Sequence, residues 1–230
     1  DFIESLLSLD VNWRPRNLVE WIHGFFGKWI ARKYLIPYNK KIWKRPLEEI
    51  DVDWVYTPGR LPIPDWRDVV KAAVGIPTQG YKEQAVFYYP LKGGIMALFN
   101  SVYEEAVSKG VHVVVGHKVN SVFKQDGSFK INNEIEARKV YSTIPLPELV
   151  EALGLSDHLS SYMDFFDYNR VAVVAVALNK QAPDQHWVYV PDEGIIFHRY
   201  AWMSNYSPCN APQGKSLVMA EVTIPKNSSI

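Results

Sequence analysis

The sequence predicts an α+β chain, and three observations carry that prediction. Apolar residues recur at helical spacing through positions 1–80. Strand-like runs separated by turn residues fill positions 165–225. The stretch between mixes both kinds of segment without a regular β-α alternation.

The helical part is also the most aromatic. Six of the eight tryptophans lie there: Trp13, Trp21, Trp29, Trp43, Trp54 and Trp66. Asn17 is placed to cap a helix whose Leu18, Trp21, Ile22, Phe25, Phe26, Trp29 and Ile30 form one wide apolar face. Such a stripe reads first as core. Pro37 ends or bends this helix, because its ring removes a donor and crowds the preceding turn. A short turn is expected over 38–43. Asp65 is a second cap, for a helix carrying Trp66, Val69, Val70 and Ala73 that Gly75 and Pro77 close.

The pattern changes at residue 85. Residues 85–89 are a strand candidate, followed by a turn through Gly93 and Gly94. Ile95, Leu98, Val102 and Ala106 then mark a helix that ends at Gly110. Strands are expected over 111–115, 119–124 and 140–144. A hairpin turn at Asp126-Gly127 leads into a partner at 129–131. Pro147 sits in the first turn of a short helix over 146–153. The final region offers four runs, 170–178, 186–190, 195–202 and 216–224, consistent with an antiparallel meander.

Composition narrows the function. Lys plus Arg and Asp plus Glu both number 25, so no global field draws the chain to nucleic acid or to an anionic membrane. Lys40, Lys41, Lys44 and Arg45 form one local basic patch that nothing else extends. Cys209 is the sole cysteine, which excludes an internal disulfide and fits a reducing, cytoplasmic setting. No apolar run approaches the roughly 18 residues a membrane span needs, and the first residues lack the build of a signal peptide. The six histidines show no metal-binding spacing. Both ends of the chain read as cut.

The block from Phe87 to Leu153 carries the functional information. Paired glycines before a helix let a backbone approach closely, and free N–H groups there suit an anion. Tyr-Tyr-Pro-Leu-Lys-Gly-Gly-Ile-Met-Ala-Leu (88–98) resembles the Y-P-x-G-G-I/M-x-x-L element of the FAD-dependent amine oxidase superfamily, with one extra residue before the glycines. That group includes protoporphyrinogen oxidases, phytoene desaturases and UDP-galactopyranose mutases. The valine run at 111–115 followed by Val119-Asn-Ser-Val resembles the next element. Residues 140–149 resemble V-x-S-T-x-P-x-P-x-L. Tyr-Leu-Ile-Pro-Tyr-Asn-Lys-Lys-Ile-Trp (34–43) is similar to the mutase element F-x-x-Y-T/N-x-K-x-W, Arg60-Leu-Pro-Ile-Pro to R-I/L-P-V-R, and Ile196-Phe-His-Arg199-Tyr to a later mutase strand. The shared order of these weak motifs is more specific than any one of them.

The resemblance implies a cofactor, FAD, and roles for individual residues. Val119 would offer backbone contacts beside the adenine, Gly93 and Gly94 would lie near the flavin, and Thr143 would also touch the cofactor. Trp43 would line the sugar or flavin pocket, while Arg60 and Arg199 would face a substrate phosphate, the substrate being a small molecule such as a nucleotide sugar. Two departures stand out. Pro64 replaces the second Arg of the R-x-P-x-R clamp. No G-x-G-x-x-G follows a strand, so the pyrophosphate cradle of a Rossmann unit lies outside this sequence. Residues 1–84 are then expected to form a helical substrate-side region, 85–155 part of an FAD-binding segment, and 156–230 a substrate-domain sheet. The chain alone is expected to bind FAD weakly or not at all. Two functions follow: the substrate-binding part of an FAD-dependent oxidoreductase or mutase, or a non-catalytic binding module.

Overall fold

The structure, a computed structural model, describes residues 3–4, 14–57, 65–78 and 86–228. Helices and antiparallel sheets make the chain α+β. In chain order the elements used below are α1 (Leu18–Ile30), α2 (Ile36–Trp43), α3 (Trp66–Ala73), α4 (Met96–Ser108), β1 (Val122–Gln125), β2 (Ser128–Ile131), β3 (Ile135–Ala137), α5 (Leu146–Ala152), β4 (Asn169–Leu178), β5 (Trp187–Tyr189), β6 (Arg199–Trp202), α6 (Met203–Tyr206) and β7 (Ser216–Pro225). The chain divides into two compact units, Asp1–Ser101 with Asn169–Ile230, and Val102–Tyr168.

In the first unit, α1 starts where the sequence placed it. The Asn17 side chain accepts the Glu20 N–H at 3.0 Å, satisfying one of the free donors of the first turn. Leu18, Trp21 and Ile22 are fully buried, against Leu47, Ile50, Val52 and Val55. Each such side chain contributes roughly 1.5–3 kcal/mol by leaving water. At Gly27 the backbone turns to φ 71° and ψ 166°, a conformation essentially confined to glycine, and this kinks the helix.

The expected turn at 38–43 is instead helix α2. A π-helical segment, Ala31–Leu35, joins it to α1, and the Ile36 N–H reaches back to the Ala31 carbonyl. The wider turn accommodates the missing donor and the ring of Pro37, so the helix continues through the proline. Lys44, at φ 54°, closes α2.

The sheet of this unit has the order β4-β7-β6-β5, all antiparallel. Its four strands match the four predicted runs, β4 and β7 each one residue longer and β5 and β6 shorter than expected. Asp65 caps α3 as expected, accepting the Arg67 N–H at 2.8 Å.

The second unit contains the meander β1-β2-β3. Asp126 (φ 48°) and Gly127 (φ 84°) make the predicted two-residue turn between β1 and β2. Strand β3 is an addition: Asn132 and Asn133, both at positive φ, turn the chain back so that Ile131 faces Ile135. Helix α5 matches its prediction, and Val150 and Ala152 on it are buried.

Three predicted strands do not form. Residues 86–89, 111–115 and 140–144 run without a ladder, and residue 85 lies outside the described residues. Val111, Val113, Val114 and Val115 are exposed. Valine favours a strand only when a neighbouring strand supplies hydrogen bonds and side-chain contacts. Among the described residues none pairs with these segments.

Candidate functional site

The first unit builds a cleft on one face of its sheet. Register places Tyr189 opposite Arg199, and Arg199 opposite Glu221. Two positions along, Trp187, Ala201 and Met219 form the next row. The period of two in a strand points both rows to the same side. Tyr206 from α6, with Phe87 and Tyr89 from the segment before the paired glycines, complete the walls of a cleft of about 650 Å³. An adjoining space of about 730 Å³ shares those aromatic walls and adds His186. The rings pack mainly edge to face: Phe87 lies 5.1 Å from Tyr206, and Tyr89 lies 5.5 Å from it.

The polar floor is an ion pair. Arg199 Nη2 donates to Glu221 Oε1 at 2.7 Å and Oε2 at 2.6 Å, and its Nε donates to Oε1 at 3.1 Å. This fork geometry orients both side chains. Beside it His198 is buried, with Nδ1 3.3 Å from Thr223 Oγ1 and Nε2 3.7 Å from Glu221 Oε2. Burial pushes the His198 imidazole below its ordinary range, with Glu221 opposing. Tyr38 on α2 stands 5.0 Å from the Tyr189 ring and 5.8 Å from Tyr34. Burial, reinforced by Tyr189, raises both phenols, Tyr34 to about 12, so they serve as neutral hydrogen-bonding groups at physiological pH.

Helix α2 is fixed to the sheet at two points. The buried Lys41 ammonium donates to the carbonyls of Val190 (2.8 Å), Asp192 (2.8 Å) and Phe197 (2.7 Å). Three converging acceptors match the three N–H bonds of an ammonium. Asn169 Nδ2 reaches the carbonyls of Ile42 (3.1 Å) and Trp43 (2.8 Å), capping the helix end. Lys41 therefore belongs to an internal lock, although its sequence neighbours are basic.

The predicted site residues are distributed as follows. Arg199 lies in the cleft. Trp43 is not among the residues lining it: its ring packs 5.3 Å from Trp54 at the edge of the core, and its Nε1 donates to Asn39 Oδ1 at 3.2 Å. Arg60 falls outside the described residues. Gly93 (φ 79°) and Gly94 (φ 62°) form the turn into α4, and their backbone angles account for both glycines. In the second unit, Thr143 is exposed and Val119 half-buried, both outside helix and strand. Asn132 Oδ1 accepts the N–H groups of Asn120 (2.8 Å) and Ser121 (3.1 Å), and its Nδ2 donates to the Lys118 carbonyl (2.8 Å). Val119 lies between these tied positions. Among the described residues its own N–H and carbonyl have no partner.

Sequence reasoning missed Glu221, Tyr189 and Tyr206. The alternation in 187–189, 199–201 and 219–221 marks a common face, but which faces meet depends on register. Among the described residues no group of three or more His, Cys, Asp or Glu is placed to hold a metal, and no helix is long and apolar enough to cross a membrane.

No family model matches the chain. A solved structure of reduced UDP-galactopyranose mutase is similar to it with a TM-score of 0.77 at 21% sequence identity, over 100% of this chain. The chain has a mutase-like fold. It spans about half, 51%, of the length of the mutase chain it matches. At this identity the likeness speaks for the fold alone.

Proposed function

We propose that the chain is the substrate-binding part of a mutase-like flavoenzyme of the FAD-dependent amine oxidase superfamily. The parent protein would supply the dinucleotide-binding segment, and a nucleotide sugar would be the ligand. The observation that carries this reading is the aromatic cleft with the Arg199–Glu221 pair, set on a sheet of mutase-like fold. Concave, largely aromatic walls with a few oriented polar groups are the usual build of a small-molecule site.

FAD fits the residues present in one respect: the main-chain groups of Val119 are unpaired among the described residues and steadied by Asn132. In this proposal Val119 holds the adenine side and Thr143 touches the cofactor. When bound, FAD supplies the redox or ring-isomerising chemistry, which is the cofactor's own. The protein's residues orient the ligand. Trp187, Tyr189 and Tyr206 wall it, Arg199 donates hydrogen bonds, Glu221 accepts them, and Tyr38 braces Tyr189. Residues 1–84 and 156–230 serve the ligand, with Phe87 and Tyr89 added to its walls, and the rest of 85–155 serves the cofactor.

The test is a visible absorption spectrum and an intact mass of the protein isolated from its source, followed by conversion assays with UDP-galactose. A flavin band with a mass well above that of this chain supports the reading. A colourless product with a mass near that of residues 1–230 overturns it and leaves a non-catalytic binding module.

A further inference from the structure

We infer that the outer edge of β4 is a self-pairing surface, on which a second copy of this chain lays its own β4 antiparallel about a two-fold axis at Val174. Among the described residues β4 pairs with β7 on one side and with nothing on the other. The Trp202 N–H bonds the His186 carbonyl, which turns the main chain of residues 200 and 202 toward β5 and that of 199 and 201 toward β7. By the same alternation, residues 218, 220 and 222 of β7 turn toward β4, where they face Val176, Val174 and Ala172. The N–H and C=O groups of Val171, Val173, Ala175 and Ala177 therefore point away from the sheet. Among the described residues none of them has a partner.

Both faces of the strand are open as well. Val171, Val173, Val174 and Val176 are 42% to 54% exposed, although their chemistry favours burial. Sheet edges that stay open usually carry a charge, a proline or a bulge. Val171–Leu178 carries none of these, and its register with β7 is continuous. Arg170 stands at the start of the strand, and its Nη2 donates to the Ser228 carbonyl.

The sequence of this edge is complementary to itself. Laid antiparallel about Val174, Val171 meets Ala177 of the second copy, Ala172 meets Val176, and Val173 meets Ala175. Each valine off the axis faces an alanine, so large fills small on both faces. The outward main-chain groups agree with this register, because 171 with 177 and 173 with 175 become the hydrogen-bonded pairs. A slip of one residue sets outward groups against groups already used by β7. A slip of two sets Arg170 against Val176, or Val171 against Asn179. Charge also permits the pairing: Arg170 falls opposite Leu178, so the two Arg170 side chains start roughly 27 Å apart, beyond the screening length of about 10 Å at 0.1 M salt. The paired segment is roughly 24 Å long and covers on the order of 300 Å² per copy, against about 800 Å² per partner for a stable interface. The dimer is therefore weak and concentration dependent. It does not depend on the flavoenzyme reading.

The experiment is analytical ultracentrifugation of the full chain from about 1 to about 300 μM, a range that brackets a weak dimer. The wild type is compared with V174K, which sets two ammonium groups against each other on the axis, with circular dichroism to check folding. The mass of the wild type should rise from 26.4 kDa toward twice that value, while V174K stays at one chain. Two cysteine variants read the register, each with the exposed Cys209 replaced by Ser. V174C/C209S should cross-link to a disulfide dimer on mild oxidation, since opposed residues of a non-hydrogen-bonded pair lie about 4.5 Å apart at Cα. A172C/C209S should not, because the two copies of position 172 lie roughly 14 Å apart along the strands. A wild type that keeps the mass of one chain throughout overturns the inference, and so does a dimer that V174K leaves intact. Equal cross-linking at 172 and 174 overturns the register and with it the self-pairing. If V174K does not fold, the wild-type mass and the two cysteine variants still decide.

Discussion

Replacing Lys41 with methionine keeps most of the apolar stem and deletes the ammonium. The three carbonyls of Val190, Asp192 and Phe197 then lose donors at 2.7–2.8 Å in a place where Lys41 is 7% exposed. A hydrogen bond to a charged group contributes roughly 1.5–3 kcal/mol, so three give an upper bound of about 9 kcal/mol. Burial of the ammonium opposes this, as the downward push on its pKa shows. Truncating one side of a buried charged network costs about 3–5 kcal/mol, and the lower end applies because methionine recovers apolar burial. The expected loss is therefore about 3 kcal/mol, or a melting point lower by ~6–12 °C for a chain of this size. Urea unfolding of Lys41→Met against wild type measures it, and hydrogen exchange locates it. Amides of residues 190–199 should lose protection while those of 18–30 keep theirs until global unfolding. A loss below about 1 kcal/mol, with protection at 190–199 unchanged, would refute the lock, since a surface lysine behaves that way.

Two further outcomes follow from the same geometry. Asn132→Ala removes the side-chain bonds to residues 118, 120 and 121 and should cost about 1–2 kcal/mol, with faster exchange at the Asn120 and Ser121 amides as the readout. His198 is held below the usual histidine pKa of about 6.5, so the unfolded chain binds its proton first. Stability from this residue is complete above that value and is lost as pH falls toward the lower folded pKa. Urea midpoints from about pH 8 to about pH 5 should decline, and His198→Gln should flatten that part of the slope. An unaltered slope would assign the decline to other groups.

Features that depend on near neighbours along the chain could be read from the order of the amino acids. The Asn17 and Asp65 caps, the apolar stripe of α1 apart from the exposed Trp29, the Asp126-Gly127 turn and the four strand runs of the final sheet were legible. Each is a local pattern in which side chain, backbone angle and periodicity agree. Pro37 read as an interruption because its local effect is disruptive. Only the structure shows the π-helical segment that absorbs it.

The tertiary structure decided everything that rests on pairing between distant segments. Residues 111–115 and 140–144 have the composition of strands, yet a strand exists only beside a partner. Composition shows that Lys41 is basic, while its burial depends on carbonyls about 150 positions away. Arg199 was legible as a candidate, but its bond to Glu221 follows from the β6–β7 register, and a shift of one residue would send the two to opposite faces. Local pattern fixes which elements form. Their faces, partners and net charge at the cleft are settled by long-range hydrogen bonding and burial, which sequence distance conceals.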